Sequence, residues 1–176
     1  MIYIICYDWP STSGNHTGMR YLYEYIQKRN PELYKMYTFN MGRRFFDKGK
    51  KGKKISVLFA ALKLAMTYKS GDKFVLTEYL HRDSYQILFA KIIRFICPKA
   101  PIYAMVHLVP EKLERRYSKA QIKKSSRFVT EIVTLGSSLT CYLNKLGIEN
   151  VYTSFHYVDN NYYTPSANLY NRGGDV

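Results

Sequence analysis

Residues Phe128–Phe155 read FVTEIVTLGSSLTCYLNKLGIENVYTSF. An apolar run, Phe128–Leu135, leads into the small-residue turn Gly136-Ser137-Ser138. Leu139, Leu143 and Leu146 then recur at helical spacing, Gly147 stops the helix, and a second apolar run covers Val151–Phe155. Two short buried strands joined through a helix do not form a hairpin. The crossover lays them parallel in one sheet, with the helix packed on its face.

The same alternation extends back to the start of the chain. Ile2–Tyr7, Leu33–Phe39, Phe74–Thr77 and Ile102–Val106 read as further strands. Between them, Met19, Leu22, Tyr23 and Ile26 share one helix face before Asn30-Pro31. Ile55, Leu58, Phe59, Leu62 and Met66 mark a second helix that closes at Ser70-Gly71-Asp72. Ser84 is placed to cap a third, with Leu88, Ile92, Phe95 and Ile96 inward, and Pro98 ends it. Pro110–Ser125 reads as one polar, basic helix. The expected fold class is α/β: a doubly wound, mostly parallel sheet flanked by helices, Rossmann-like, over residues 1–158. A common strand order for such a sheet is 3-2-1-4-5-6. That order puts the ligand crevice between the first and fourth strands, beyond their carboxyl ends.

Two candidate segments would meet there. The first strand runs into Gly14-Asn15-His16-Thr17-Gly18, a loop that opens a helix. Unpaired N–H groups at a helix start favour anions, and glycine lets the backbone approach a ligand closely. The fourth strand runs into His107, the candidate catalytic residue, whose imidazole suits a sugar hydroxyl or a phosphate. Glu78, just past the third strand, would line the same rim. The spacing GxxxG and Asn40 after the second strand, in place of an acid, argue against a dinucleotide cofactor. No HExxH, paired CxxC or carboxylate cluster points to a metal, and no GxSxG elbow or phosphate-binding GxxxxGK[ST] loop is present.

The net charge is +14, concentrated in Gly42–Lys54 and Lys112–Arg127, and it favours anionic partners. In the first segment, read as a loop, Arg43, Arg44, Lys50, Lys51, Lys53 and Lys54 are the candidates for contact with an anionic membrane surface. The apolar stretches Ile55–Tyr68 and Tyr85–Cys97 are too short to span a bilayer, and Lys63, Lys91 and Arg94 interrupt them. Met1 leads directly into an apolar strand rather than a secretion signal, and Cys6, Cys97 and Cys141 read as buried thiols. A cytoplasmic protein, peripheral to the inner face of the membrane, is the expectation. A basic nucleic-acid-binding module is a weaker one. Basic and aromatic residues are not interleaved on one strand face, and no RRM, KH or zinc pattern occurs.

The segment Val133–Ser138, the helix to Gly147 and Val151–Pro165 (VYTSFHYVDNNYYTP) resemble the close of the N-terminal domain in GT-B glycosyltransferases of the family 4 type. His156-Tyr157-Val158-Asp159 stands where that family has Asn-Gly-Val-Asp, and Tyr163-Thr164-Pro165 resembles its aromatic-x-Pro end. Pro10, Gly14 and Gly18, followed by Leu22 and Ile26, resemble its acceptor-side loop and helix, and His107 matches a histidine that faces its cleft. The resemblance implies an acceptor-binding half, with 159–176 as the start of an interdomain linker. The absent C-terminal domain would hold a nucleotide-sugar donor. It implies transfer of a hexosyl group to a hydroxyl acceptor with retained configuration, in cell-surface polysaccharide or glycolipid synthesis, by the intact enzyme rather than by this half alone. The alternative is a standalone α/β interaction or nucleotide-binding domain.

Overall fold

The computed structural model describes residues 1–6, 17–38, 50–81 and 84–154. Six strands alternate with helices: β1 (Ile2–Cys6), α1 (Thr17–Arg29), β2 (Tyr34–Thr38), α2 (Lys50–Thr67), β3 (Lys73–Leu76), α3 (Gln86–Ile96), β4 (Ile102–Val106), α4 (Pro110–Glu114), α5 (Lys119–Ser126), β5 (Glu131–Thr134), α6 (Ser137–Lys145) and β6 (Val151–Thr153). Every strand pairing is parallel. The α/β doubly wound reading therefore holds.

The strand order does not. It runs β2-β1-β3-β4-β5-β6, so β3 lies between β1 and β4 and the reversal falls between β1 and β3. The reason is visible in β2. None of Tyr34–Tyr37 is buried and Lys35 is exposed. The 3-2-1 order would enclose that strand between two neighbours, where its lysine has no solvent outlet. An edge position suits it, because an edge lysine also discourages pairing with another chain. Phe74 and Leu76 of β3 are fully buried and belong in the interior.

Alternate residues of β1 separate the two faces. Ile5 joins the main core, with residues of α2 to α6. Ile4 and Cys6 meet Tyr23 and Ile26 of α1 on the other face. Right-handed crossovers demand this split, because β1 to β2 steps one way along the sheet and β2 to β3 steps back. At the heart of the main core Phe74 lies among Tyr3, Tyr68 and Phe89. At the amino edge of the sheet Asp72 accepts a hydrogen bond from the Met1 ammonium at 2.8 Å and one from the Lys69 amide at 2.9 Å. Burial works to raise the Asp72 pKa, but these two donors outweigh it and hold the carboxyl below its ordinary range.

Several helix expectations need correction. In α2 the stripe of large apolar residues points outward. The buried face is Val57, Ala60, Ala61, Leu64 and Ala65. Small side chains let the helix lie close on the sheet, and large apolar residues occur on both its inner and outer sides, so periodicity alone does not pick the face. In α3 the inward residues are Gln86, Phe89, Ala90 and Ile93, while Phe95 and Ile96 are exposed. Tyr85, not Ser84, occupies the cap position, although Ser84 Oγ still accepts from the Gln86 amide at 3.3 Å. Lys50–Lys54, read as loop, form the first turns of α2. The basic helix is two helices, because Ser118 restarts the chain with a reciprocal capping box to Gln121. Of the cysteines only Cys6 is buried; Cys97 is half-buried and Cys141 exposed. No helix among the described residues is long and apolar enough to cross a membrane.

Candidate functional site

In a parallel sheet all strands end on one edge, and open α/β sheets bind ligands at the point of that edge where the strand order reverses, here between β1 and β3. The segment after β3 fills the middle of it. Thr77 donates to the Ile5 carbonyl of β1 through its amide (3.2 Å) and its hydroxyl (3.1 Å). Two residues on, the Tyr79 amide donates to Met105 of β4 at 2.9 Å. The segment thus bridges the ends of β1 and β4, which the strand order keeps apart.

Glu78 lies between these two anchors. Its amide donates to Gln86 Oε1 at 2.8 Å, and its carbonyl accepts from Ser84 Oγ at 2.7 Å. Gln86 is fully buried, and its Nε2 donates to the Ile5 carbonyl at 2.9 Å. One amide side chain therefore ties the start of α3 to both β1 and the Glu78 backbone. With its main chain gripped from both sides, Glu78 keeps a half-buried carboxyl, and burial pushes it up to about 7. Such a group exchanges a proton at neutral pH in either direction. The backbone around it is strained. Leu80 and Tyr85 both adopt positive φ, 59° and 54°, which non-glycine residues rarely do.

His107 extends from the end of β4 and reaches back across the crevice. Its Nε2 donates to the Thr77 carbonyl at 2.7 Å. A carbonyl only accepts, so the proton is on Nε2, and in the neutral ring Nδ1 is the basic nitrogen. Tyr23 of α1 is buried nearby, and its hydroxyl donates to the Met105 sulfur at 3.1 Å. Its pKa is driven up by burial first, then by Cys6 and Glu78. That coupling places Tyr23, Cys6 and Glu78 in one electrostatic neighbourhood.

The structure therefore brings the His107 ring to the backbone of Thr77, the residue before Glu78. Thr17 and Gly18 belong to the first turn of α1, while Gly14, Asn15 and His16 lie outside the described residues. Arg43 and Arg44 lie outside them too. Lys50, Lys51 and Lys53 are placed in α2 by backbone only, and Lys54 is exposed there. The segment 155–165 of the resemblance is likewise outside them. Glu78 is half-buried, and burial shapes its chemistry.

Sequence reasoning missed Gln86 and took Tyr23 for core only. Gln86 had a signal: a lone amide opening an otherwise apolar helix is costly to bury without partners, so it marks a clamp. Nothing at Tyr23 or Cys6 distinguished them from core residues. No group of three metal-binding side chains exists among the described residues. Comparisons with family models, with curated proteins and with solved structures gave no match. The family resemblance rests on the quoted motifs.

Proposed function

We propose that this chain is the acceptor-side domain of a glycosyltransferase. The observation that carries the reading is that His107 reaches the Thr77 carbonyl, next to Glu78, where the strand order reverses between β1 and β3. In this reading an acceptor hydroxyl sits over the crevice. Glu78 in its carboxylate form accepts a hydrogen bond from that hydroxyl and orients it. The oxygen bonds to the anomeric carbon on the face from which the leaving group departs, so the configuration is retained, and the hydroxyl proton passes to the departing phosphate. The nucleoside diphosphate leaves with the electron pair of the broken C–O bond. His107, held by Thr77, lines the cleft beside the transferred sugar. The loop Gly14–Gly18 contributes backbone donors toward the acceptor or the donor phosphates. A second lobe facing this edge would hold the nucleotide-sugar, so the acceptor is the ligand this domain recognises by itself.

The test is an NMR titration of the chain with carbon-labelled Glu and His side chains. Glycosides and phosphate-linked lipid glycosides are the acceptor probes, and uridine and guanosine diphosphate sugars are the donor probes. Acceptor probes should shift the Glu78 carboxyl and His107 ring signals, and Glu78→Gln should weaken their binding. A panel in which no hydroxyl-bearing probe moves either signal overturns the reading. Binding of single-stranded RNA with a steep salt dependence, and of no saccharide, would instead establish the nucleic-acid module.

A further inference from the structure

The outward faces of α2 and α3 are an unusual surface. The two helices lie side by side on the main-core face of the sheet. On α2, Leu58 is 41% exposed, Phe59 61% and Met66 81%; on α3, Phe95 is 89% and Ile96 42% exposed. On α2, Phe59 and Met66 form a ridge opposite the buried Val57–Ala61–Leu64 face and Leu58 flanks it, so nothing in the folding of this helix requires Phe59 and Met66 to be apolar. Large apolar side chains left exposed on two packed neighbouring helices mark a contact surface.

Its charge setting selects the occupant. Neither α2 nor α3 contains an acid, and together they carry Lys50, Lys51, Lys53, Lys54, Lys63, Lys91 and Arg94. Lys63 and Lys91 are exposed beside the ridge, and Lys54 is exposed in the first turns of α2. A second copy is a poor fit, because a two-fold interface sets a patch against itself and would face these cations with each other. An anionic bilayer meets both demands: acyl chains take the large apolar side chains, and headgroup phosphates take the lysines around them.

We propose that the α2–α3 ridge inserts into the headgroup–acyl boundary of an anionic membrane, with Phe59, Met66 and Phe95 as the inserting side chains. This is distinct from attraction of the basic segment to lipid phosphates, because it requires apolar insertion. It also stands independently of the transferase reading.

The experiment is co-sedimentation of the full chain with vesicles of phosphatidylcholine alone or mixed with phosphatidylglycerol, with no sugar or acceptor present. Binding should require phosphatidylglycerol and fall with added salt. A Phe59→Ser, Phe95→Ser double variant should lose about tenfold or more in partitioning. Both positions are exposed, so the variant should keep its circular dichroism spectrum and melting temperature. Lys63→Glu with Lys91→Glu provides a second variant set that should weaken binding without removing apolar surface. Wild-type chain that ignores anionic vesicles overturns the proposal, as does a double variant that binds as well as wild type. A concentration-dependent dimer in light scattering that the double variant abolishes overturns it in favour of self-association.

Discussion

Glu78 holds its proton to about pH 7 in the folded chain, whereas an unfolded glutamate releases it near 4.3. The raised folded pKa sets the sign of the linkage. Below about pH 4 both states are protonated and Glu78 contributes no pH dependence. Between about pH 4 and about pH 7 the unfolded chain ionises Glu78 while the folded chain keeps the proton, so stability falls as pH rises through that window and levels off above about 7. Glu78→Gln should remove the fall. Urea denaturation at about pH 5 and about pH 8 should show the variant gaining on wild type at the higher pH, by at most ~3 kcal/mol. Equal pH dependence in the two proteins would refute this. A carbon-detected titration should place the Glu78 midpoint near neutrality. The position of Glu78 after the third strand was legible from sequence; its desolvation was not, since that depends on α1, β1 and β4 arriving from distant parts of the chain.

The elements are held at the crevice by single polar side chains, and these give sharp tests. Gln86→Leu keeps the apolar volume of the buried site but removes both bonds of the clamp. The Glu78 amide then loses its acceptor and Ile5 loses one of three donors. The expected cost is about 1–3 kcal/mol in thermal or urea unfolding, together with a displaced Glu78 titration midpoint. At α5, Ser118→Ala removes one side of the capping box and should cost ~1 kcal/mol, with no change at Glu78. Helix positions were legible to within a few residues because apolar periodicity, Gly147 and Pro98 punctuate the chain. Helix faces were less so. In α2 the sheet selects alanines over the larger Ile55, Leu58 and Phe59, because close approach to a flat parallel sheet favours small side chains. In α3 the buried Gln86 breaks the apolar pattern, and the exposed Phe95 mimics it. The break at Ser118 was readable as Ser-x-x-Gln, a capping signal inside an otherwise continuous polar pattern.

For the whole molecule, charge acts against compactness. At +14 the folded chain repels itself, and salt that shortens the screening length relieves that repulsion. The melting temperature should therefore rise between about 0.02 M and about 0.3 M NaCl, measured by circular dichroism without lipid or nucleotide. A flat or falling curve would show that surface ion pairs dominate. The sequence by itself determined the class of fold: alternating apolar runs and helical stripes, each bounded by its own stop signals, leave a parallel α/β sheet as the natural solution. Only the tertiary structure decided which strands are neighbours. Consecutive crossovers satisfy more than one strand order with the same local sequence, and the choice turned on the exposed Lys35 edge strand and the buried Phe74–Leu76 strand. That choice moved the crevice from β1/β4 to β1/β3. It placed the Thr77–Tyr79 bridge on the crevice floor and turned Glu78 from a rim residue into its central titrating group.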